Sequence, residues 1–332
     1  MKRTYLYIIL IVLIISSCSK EASVIPQVEE TPEPIETVVF SKIYNTSNSG
    51  LLSNFINHIE FDGTLAKIST QNGYTTFDGS TWTTLTTSNS NLPSNKINYT
   101  TTNVATTWIA TDNGLVKVES NMTIYNTGNS SIPSNKIRSL DIDPSGNIWI
   151  GTFSGGGLAK FDGTNWTVFT PSNSGLPNNS VSVVKSDNNG NIWLATASGI
   201  SMFDGITFTN YKKSNSPLPS NSVYSIEIDN NNVKWIGSNG GVTRLDNSNW
   251  TTYDMQNSGL PLNLVRSIVL ETTNKLWIGM AGQGISNFDY TTDAWTQYNS
   301  NNSNLQNNFV NAITIAPDNK KWLSTENGIT IK

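Results

Sequence analysis

Apolar and polar positions recur in a fixed order along most of this chain, most clearly across Asn135–Asn178. IRSLDI mixes apolar and polar positions and stops at the turn PSGN, so it predicts a short strand. IWIGT, rich in β-branched and aromatic residues, predicts a second. The glycines of SGGG permit positive φ and separate it from a third strand, LAKF. DGTN is a hairpin turn of the Asp-Gly type, WTVFT is the fourth strand, and the polar stretch PSNSGLPN leads into the next copy. Four short antiparallel strands in about forty residues are the signature of a propeller blade.

The copies are counted by the Asn that opens each first strand: Asn54, Asn95, Asn135, Asn179, Asn221, Asn263 and Asn308, spaced 40 to 45 residues apart. Ten residues before each marker stands a large apolar residue of a fourth strand: Tyr44, Leu85, Tyr125, Phe169, Tyr211, Tyr253 and Tyr298. Thirteen or fourteen residues after it comes the Trp of a second strand: Trp108, Trp149, Trp193, Trp235, Trp277 and Trp322, with Lys67 in that place in the first copy. These tryptophans are expected to fill the wedges between blades, where truncation to Ala costs about 3–5 kcal/mol. Asn308–Lys332 is long enough for only three strands, and Val38–Ser53 supplies the missing fourth-strand sequence at the other end. The expected fold is therefore all-β: a seven-bladed β-propeller of four-stranded antiparallel blades over residues 38–332. Pairing of Val38–Asn45 with the C-terminal blade closes it and leaves no open edge between the ends.

The N-terminal residues carry a different pattern. Lys2 and Arg3 precede an apolar run, Tyr5–Ile15, that falls short of the about 20 residues a spanning helix needs. The run ends in Ile15-Ser16-Ser17-Cys18, which is similar to a bacterial lipobox. Residues 1–18 thus read as a lipoprotein signal peptide ending at a lipidated Cys18. Residues 19–37 set five glutamates among Pro26, Pro32 and Pro34 and predict an extended, solvated linker. The expected location is the bacterial cell envelope, on the periplasmic face or the cell surface, with membrane contact through the lipid anchor only. Cys18 is the one Cys, so no disulfide forms within the chain.

Charge changes the picture by its scarcity. Charged residues make up 13% of the chain, against about 25% in ordinary globular proteins. From Val38 onward 17 basic residues face 19 acidic ones, so no basic face for a nucleic acid is indicated. Surfaces of Asn, Ser, Thr and Gly with aromatics nearby suit neutral polar ligands or neutral protein contacts. With a single His, His58, and a Cys that is lipidated, a His-rich zinc site and a Cys-His site are ruled out, and a Ser-His-Asp site could use only His58. His58 is expected to pack or to line the channel, and neither cofactor nor metal is expected. The run Asp141–Asn147 and its counterparts at Asp187 and Asp229 faintly resemble calcium loops, but they lack the distal Glu and read as hairpin turns.

The first strands carry the candidate chemistry. Two places after each marker the residue is β-branched and apolar; three places after it stand Asn57, Asn98, Arg138, Ser182, Tyr224, Arg266 and Asn311. Strand alternation turns these two positions to opposite faces, which sets the polar set as a ring near one mouth of the central channel. Loops between second and third strands open on the same face and bring Asp112 and Glu326. The candidate ligand-binding residues are Asn57, Asn98, Arg138, Tyr224, Arg266 and Asn311, with Asp112 and Glu326; the plain alternative is that they simply meet channel water. Asn and Arg offer several hydrogen-bonding groups each, and Tyr224 offers a flat face for a sugar ring. Two arginines with solvated heads favour a ligand carrying a carboxylate or sulfate.

The run Ile137–Leu158, with Asp-Pro-Ser-Gly-Asn, Ile-Trp-Ile-Gly-Thr and Gly-Gly-Leu, resembles the two-component regulator propeller repeat; residues 191–196, 234–237 and 275–279 resemble it less fully. The resemblance covers nearly all of Asn95–Lys332. It implies the propellers of periplasmic sensors in hybrid two-component systems, many of which respond to oligosaccharides. Here the expectation is a free-standing, monomeric lipoprotein to which the binding capacity carries over. It would recognise a glycan or other small polar ligand on one propeller face, without catalysis. Two alternatives stay open: an envelope scaffold that binds another protein, and a carboxylate-based polysaccharide hydrolase or lyase.

Overall fold

The computed structural model describes residues 39–104, 106–153 and 155–332. Cys18, the linker at 19–37 and Val38 lie outside the described residues. Strands make seven sheets of four, all antiparallel. Blades 1 to 6 each use four consecutive strands; their first strands are Ile56–Asp62, Ile97–Asn103, Ile137–Ile142, Val181–Ser186, Val223–Ile228 and Val265–Thr272. Blade 7 combines Val310–Ile315, Lys321–Thr325 and Gly328–Ile331 with Lys42–Tyr44 from the other end of the chain. Lys42, Ile43 and Tyr44 pair with Ile331, Thr330 and Ile329. The ring is closed as expected, by a strand of only three residues.

Blades are joined by aromatic contacts that repeat around the ring. Each second-strand Trp is buried. Trp108, Trp149, Trp235 and Trp322 meet the third-strand Phe of the following blade, at ring centroid distances of 6.0 Å (Phe161), 6.0 Å (Phe203), 6.5 Å (Phe288) and 6.3 Å (Phe77). This explains why the Phe-Asp-Gly turns recur: the Phe fills the wedge while Asp and Gly make the hairpin. Blade 1 has Lys67 where the others have Trp, and blade 2 has Val118 where others have Phe. The buried ammonium of Lys67 is held instead by Asp62 at 2.9 Å and by the Thr102 and Thr107 hydroxyls at 2.8 Å each.

Much of the Asn and Ser is spent inside the loops between blades. In the loop after blade 2, the Asn126 N–H donates to Asn129 Oδ1 at 2.8 Å, Asn129 Nδ2 donates to Ile124 O at 2.9 Å, and Ser130 Oγ donates to Asn126 O at 2.8 Å. The same knot forms in the other loops, for instance at Asn89 and Ser90 and at Asn257 and Ser258. A polar, weakly charged composition therefore serves loop closure first.

One irregularity is shared by all seven blades. Pairing of first and second strands shifts register between Ile56 and His58, Ile97 and Tyr99, Ile137 and Ser139, Val181 and Val183, Val223 and Ser225, Val265 and Ser267, and Val310 and Ala312. The residue left unpaired is the third after each marker, so every member of the polar ring sits on a β-bulge.

Candidate functional site

First strands of all seven blades line one central cavity of about 680 Å³. Strict alternation would return the channel-facing side to the fifth position after the marker. The bulge resets it: the second and fifth positions are buried in every blade, and the third, fourth and sixth line the channel. Asn57, Asn98, Arg138, Ser182, Tyr224, Arg266 and Asn311 all border the cavity, as expected.

The innermost strand of a blade has backbone groups with no strand partner, and the neighbouring blade supplies them with side chains. Asn57 Nδ2 donates to Ile97 O at 2.6 Å and Asn98 Nδ2 to Ile137 O at 2.7 Å. Deeper down, the Thr102 N–H donates to Glu60 Oε1 at 2.9 Å and the Ser186 N–H to Asp141 Oδ2 at 2.6 Å. Thr314 Oγ1 donates to Ile59 O at 2.8 Å across the closing junction. Part of the polar ring thus stitches blades together. Asn57 also accepts from Gln71 Nε2 at 3.0 Å, and Asn98 also donates to Asp112 Oδ1 at 2.8 Å. Asp112 pairs with Lys96 at 3.0 Å and reaches the ring only through Asn98. Glu326 is exposed and does not border the cavity.

Arg138, Tyr224, Arg266 and Asn311 make no side-chain hydrogen bond to another group among the described residues. Blades 3 and 6 put Arg138 and Arg266 on opposite sides of the mouth. Neither belongs to an ion pair among the described residues. Arg138 opens to water, yet the channel wall desolvates it enough to lower its pKa; Asp112 opposes that shift and Arg266 adds to it. The Arg266 guanidinium lies 4.4 Å from the centre of the Tyr224 ring and 5.7 Å from that of Phe309, a cation held between two aromatics. Its Nε is buried without a hydrogen-bond partner among the described residues. Tyr224 therefore has Arg266 on one face, rather than both faces free.

A second layer lies below, at the fourth and sixth positions, of which the sequence pattern points to His58 alone. Glu60, Asp141, Lys185 and Glu227 gather there with His58 and Tyr99. Lys185 Nζ is 3.5 Å from Glu227 Oε2, and that carboxylate holds the ammonium above its ordinary pKa against the effect of burial. Burial raises the Glu60 and Asp141 pKa values despite their hydrogen bonds. His58 stacks on Tyr99 with centroids 3.7 Å apart; burial, then Lys185, lowers its pKa to about 3. A neutral imidazole this weakly basic is poorly suited to taking a proton from a substrate. One signal for this layer is in the sequence: within strand-forming stretches the second and fifth positions, three apart, are apolar in every blade but blade 2, where Thr100 is fifth, a spacing that a regular strand does not put on one face and a bulge does.

The hairpin aspartates have structural duties. Asp143 Oδ1 accepts from the Ser145 and Asn147 N–H groups, and Oδ2 accepts from Trp149 Nε1 at 2.8 Å. Burial raises its pKa, but the donors from Trp149 and Asn147 outweigh it and leave it below the usual carboxylate value. Asp187 holds Trp193 in the same way, at 2.9 Å.

Similar proteins agree with this architecture. The extracellular domain of the hybrid two component system BT3049 from B. thetaiotaomicron matches with a TM-score of 0.71 and 21% identity, over 85% of this chain and 40% of that one. The extracellular domain of the one component system BT4673 from the same organism matches with a TM-score of 0.71 and 20% identity, over 90% of this chain and 40% of that one. Virginiamycin B lyase from Staphylococcus aureus matches with a TM-score of 0.70 and 15% identity, over 88% of this chain and 97% of the enzyme. At such identities the likeness is one of fold, and the chain spans about 40% of the length of the two extracellular domains. No curated protein sequence matches it. Residues 131–154 and 175–198 match the family described as two component regulator propeller, so the chain carries repeats of that family.

Proposed function

We propose that this propeller is a non-catalytic binding module of the bacterial cell envelope, anchored through a lipidated Cys18, and that it receives a glycan bearing a carboxylate or sulfate at the channel mouth. The observation that carries the reading is the pair Arg138 and Arg266, opposed across one mouth with no carboxylate partner among the described residues. Arg266 is fixed between Tyr224 and Phe309, so little side-chain freedom is lost when it binds. The extracellular domains of two component and one component systems that share this fold support a binding role. The lyase of similar fold keeps catalysis in view, but His58 is a weak base and Glu60 and Asp141 already hold backbone N–H groups of the next blade.

A thermal-shift screen against neutral, uronate-bearing and sulfated polysaccharides tests the reading. Binding at 100 times Kd adds about 2.7 kcal/mol to stability. Arg138→Ala or Arg266→Ala should weaken binding of an acidic glycan by roughly ten- to hundredfold, the loss of one charge-assisted contact. Normal binding by both variants would place the site elsewhere. Exposed Phe55 and Phe153 near this mouth favour a second reading, an envelope scaffold whose protein partner presents an acidic group to the same face. A protein captured there, with every glycan inert, would select it. The anchor has its own check: a labelled fatty acid should be incorporated by the wild type and not by Cys18→Ala.

A further inference from the structure

The mouth and the layer beneath it have opposite charge. Arg138 and Arg266 at the mouth face no acid within pairing distance among the described residues. Below them, three carboxylates, Glu60, Asp141 and Glu227, share one ammonium, Lys185. Lys185 pairs with Glu227; Glu60 and Asp141, on the two blades that flank blade 2, feel Lys67 and Lys185 at longer range but form no ion pair among the described residues. Charge is scarce in this chain, 13% of residues, so two like-charged pairs outside any ion pair in one cavity are more than wetting a channel requires. Three strand residues separate the layers, a span of about 10 Å at about 3.3 Å each, and slightly less across the bulge. Inside a channel such charges are screened less than on an open surface. A separate observation points the same way. Asn98 borders the cavity, is only 6% exposed, and its Oδ1 is a buried acceptor with no hydrogen-bond partner among the described residues.

We propose that the channel is a receptor for a zwitterionic ligand. Its anionic group lies at Arg138 and Arg266, and an ammonium group, such as an unacetylated amino sugar carries, reaches Glu60 and Asp141. The proposal rests on the reading of the arginine mouth as a ligand site and narrows the glycan class to one with both signs of charge. Glu60 and Asp141 can serve it while keeping their backbone contacts, because a carboxylate offers about four acceptor positions. Each uses two here, Glu60 for the Thr102 N–H and hydroxyl and Asp141 for the Ser186 N–H and hydroxyl.

Titrations with simple probes, followed by NMR on the full propeller, test it. Aminooctanoate extends to about the required span and should bind at least about tenfold tighter than octanoate or octylamine. The advantage should vanish for aminobutyrate, which cannot bridge the layers; this comparison needs only the wild type. Glu60→Gln combined with Asp141→Asn keeps an acceptor oxygen for each backbone N–H and removes the charge. In that variant aminooctanoate should fall to the level of octanoate, while octanoate itself binds as before. Equal binding of aminooctanoate and octanoate by the wild type would overturn the inference, as would an advantage that survives loss of both carboxylates. Octanoate binding unchanged by Arg138→Gln and Arg266→Gln would instead remove the mouth reading itself, and the inference with it.

Discussion

Asn135 accepts a hydrogen bond at Oδ1 from the Thr127 N–H, at 2.8 Å, and so fastens the loop that leads into its own blade. Asn54, Asn95, Asn221, Asn263 and Asn308 each accept from the residue eight places earlier in the same way. Asn179 does not, because the residue eight places before it is Pro171, which has no N–H, and its buried Oδ1 is left without a partner among the described residues. Replacing Asn135 by Ala should therefore cost about 0.5–1.5 kcal/mol, whereas Asn179→Ala removes an unsatisfied acceptor and should be close to neutral. Urea denaturation of the two variants decides it, and equal losses would mean that the markers act through something other than this bond. The same scale holds a pH effect. His58 is the one His in the chain, and its pKa falls from 6.5 to about 3 through burial and the nearby Lys185. The folded protein thus binds fewer protons than the unfolded chain between those values, and stability should decline as pH falls below 6.5. Glu60 and Asp141, whose pKa values are raised, act in the opposite sense nearer the carboxylate range. Between pH 7 and 5 the histidine effect should dominate, so His58→Phe, which can still stack on Tyr99, should flatten the dependence of Tm on pH. An unchanged slope would show that His58 charges freely in the folded state.

At the scale of the element, the strands were legible because their signals are local. Trp after β-branched residues, Asp-Gly at hairpins and Gly before third strands each follow from backbone or packing preferences confined to a few residues. The Trp wedge was legible too, and Trp149 shows why it matters: it is buried, contacts Phe203 of the next blade, and donates to Asp143. Trp149→Ala should cost about 3–5 kcal/mol in a denaturant titration; a loss under about 1 kcal/mol would mean that the wedge collapses around the gap. The bulge was harder to see, since it depends on pairing between first and second strands and not on either alone. Without it, the third position could be assigned to the channel, but not the sixth. The place of Arg138 and Arg266 on the channel is therefore legible in the sequence, while the layer that joins Lys185 and Glu227 to the stacked His58 and Tyr99 is not. Asn57 and Asn98 show the converse limit. Their place in the channel was legible, but their bonds to Ile97 O and Ile137 O belong to the neighbouring blade and leave no trace in local pattern.

For the whole molecule, the consequence of circular closure is that stability depends on a join between distant parts of the chain. That join is short: three residues, Lys42–Tyr44, paired with Gly328–Ile331. It is strengthened by Tyr44, whose ring lies 5.8 Å from Trp322 in its own blade and 5.3 Å and 5.1 Å from Phe77 and Trp82 in blade 1. Tyr44 therefore holds the last blade to the first while its backbone completes the last sheet. Two changes separate these roles. Tyr44→Ala leaves the strand in place and removes the aromatic contacts, at a cost of about 3–5 kcal/mol. Deleting residues 39–45 removes both and uncovers the edge of Gly328–Ile331, a template for pairing with another chain. The first variant should stay monomeric with a lowered Tm, and the second should self-associate as its concentration rises in light scattering. If the deletion stays monomeric and melts where the wild type does, packing among the other six blades is enough to hold the ring, and closure by the N-terminal strand contributes little.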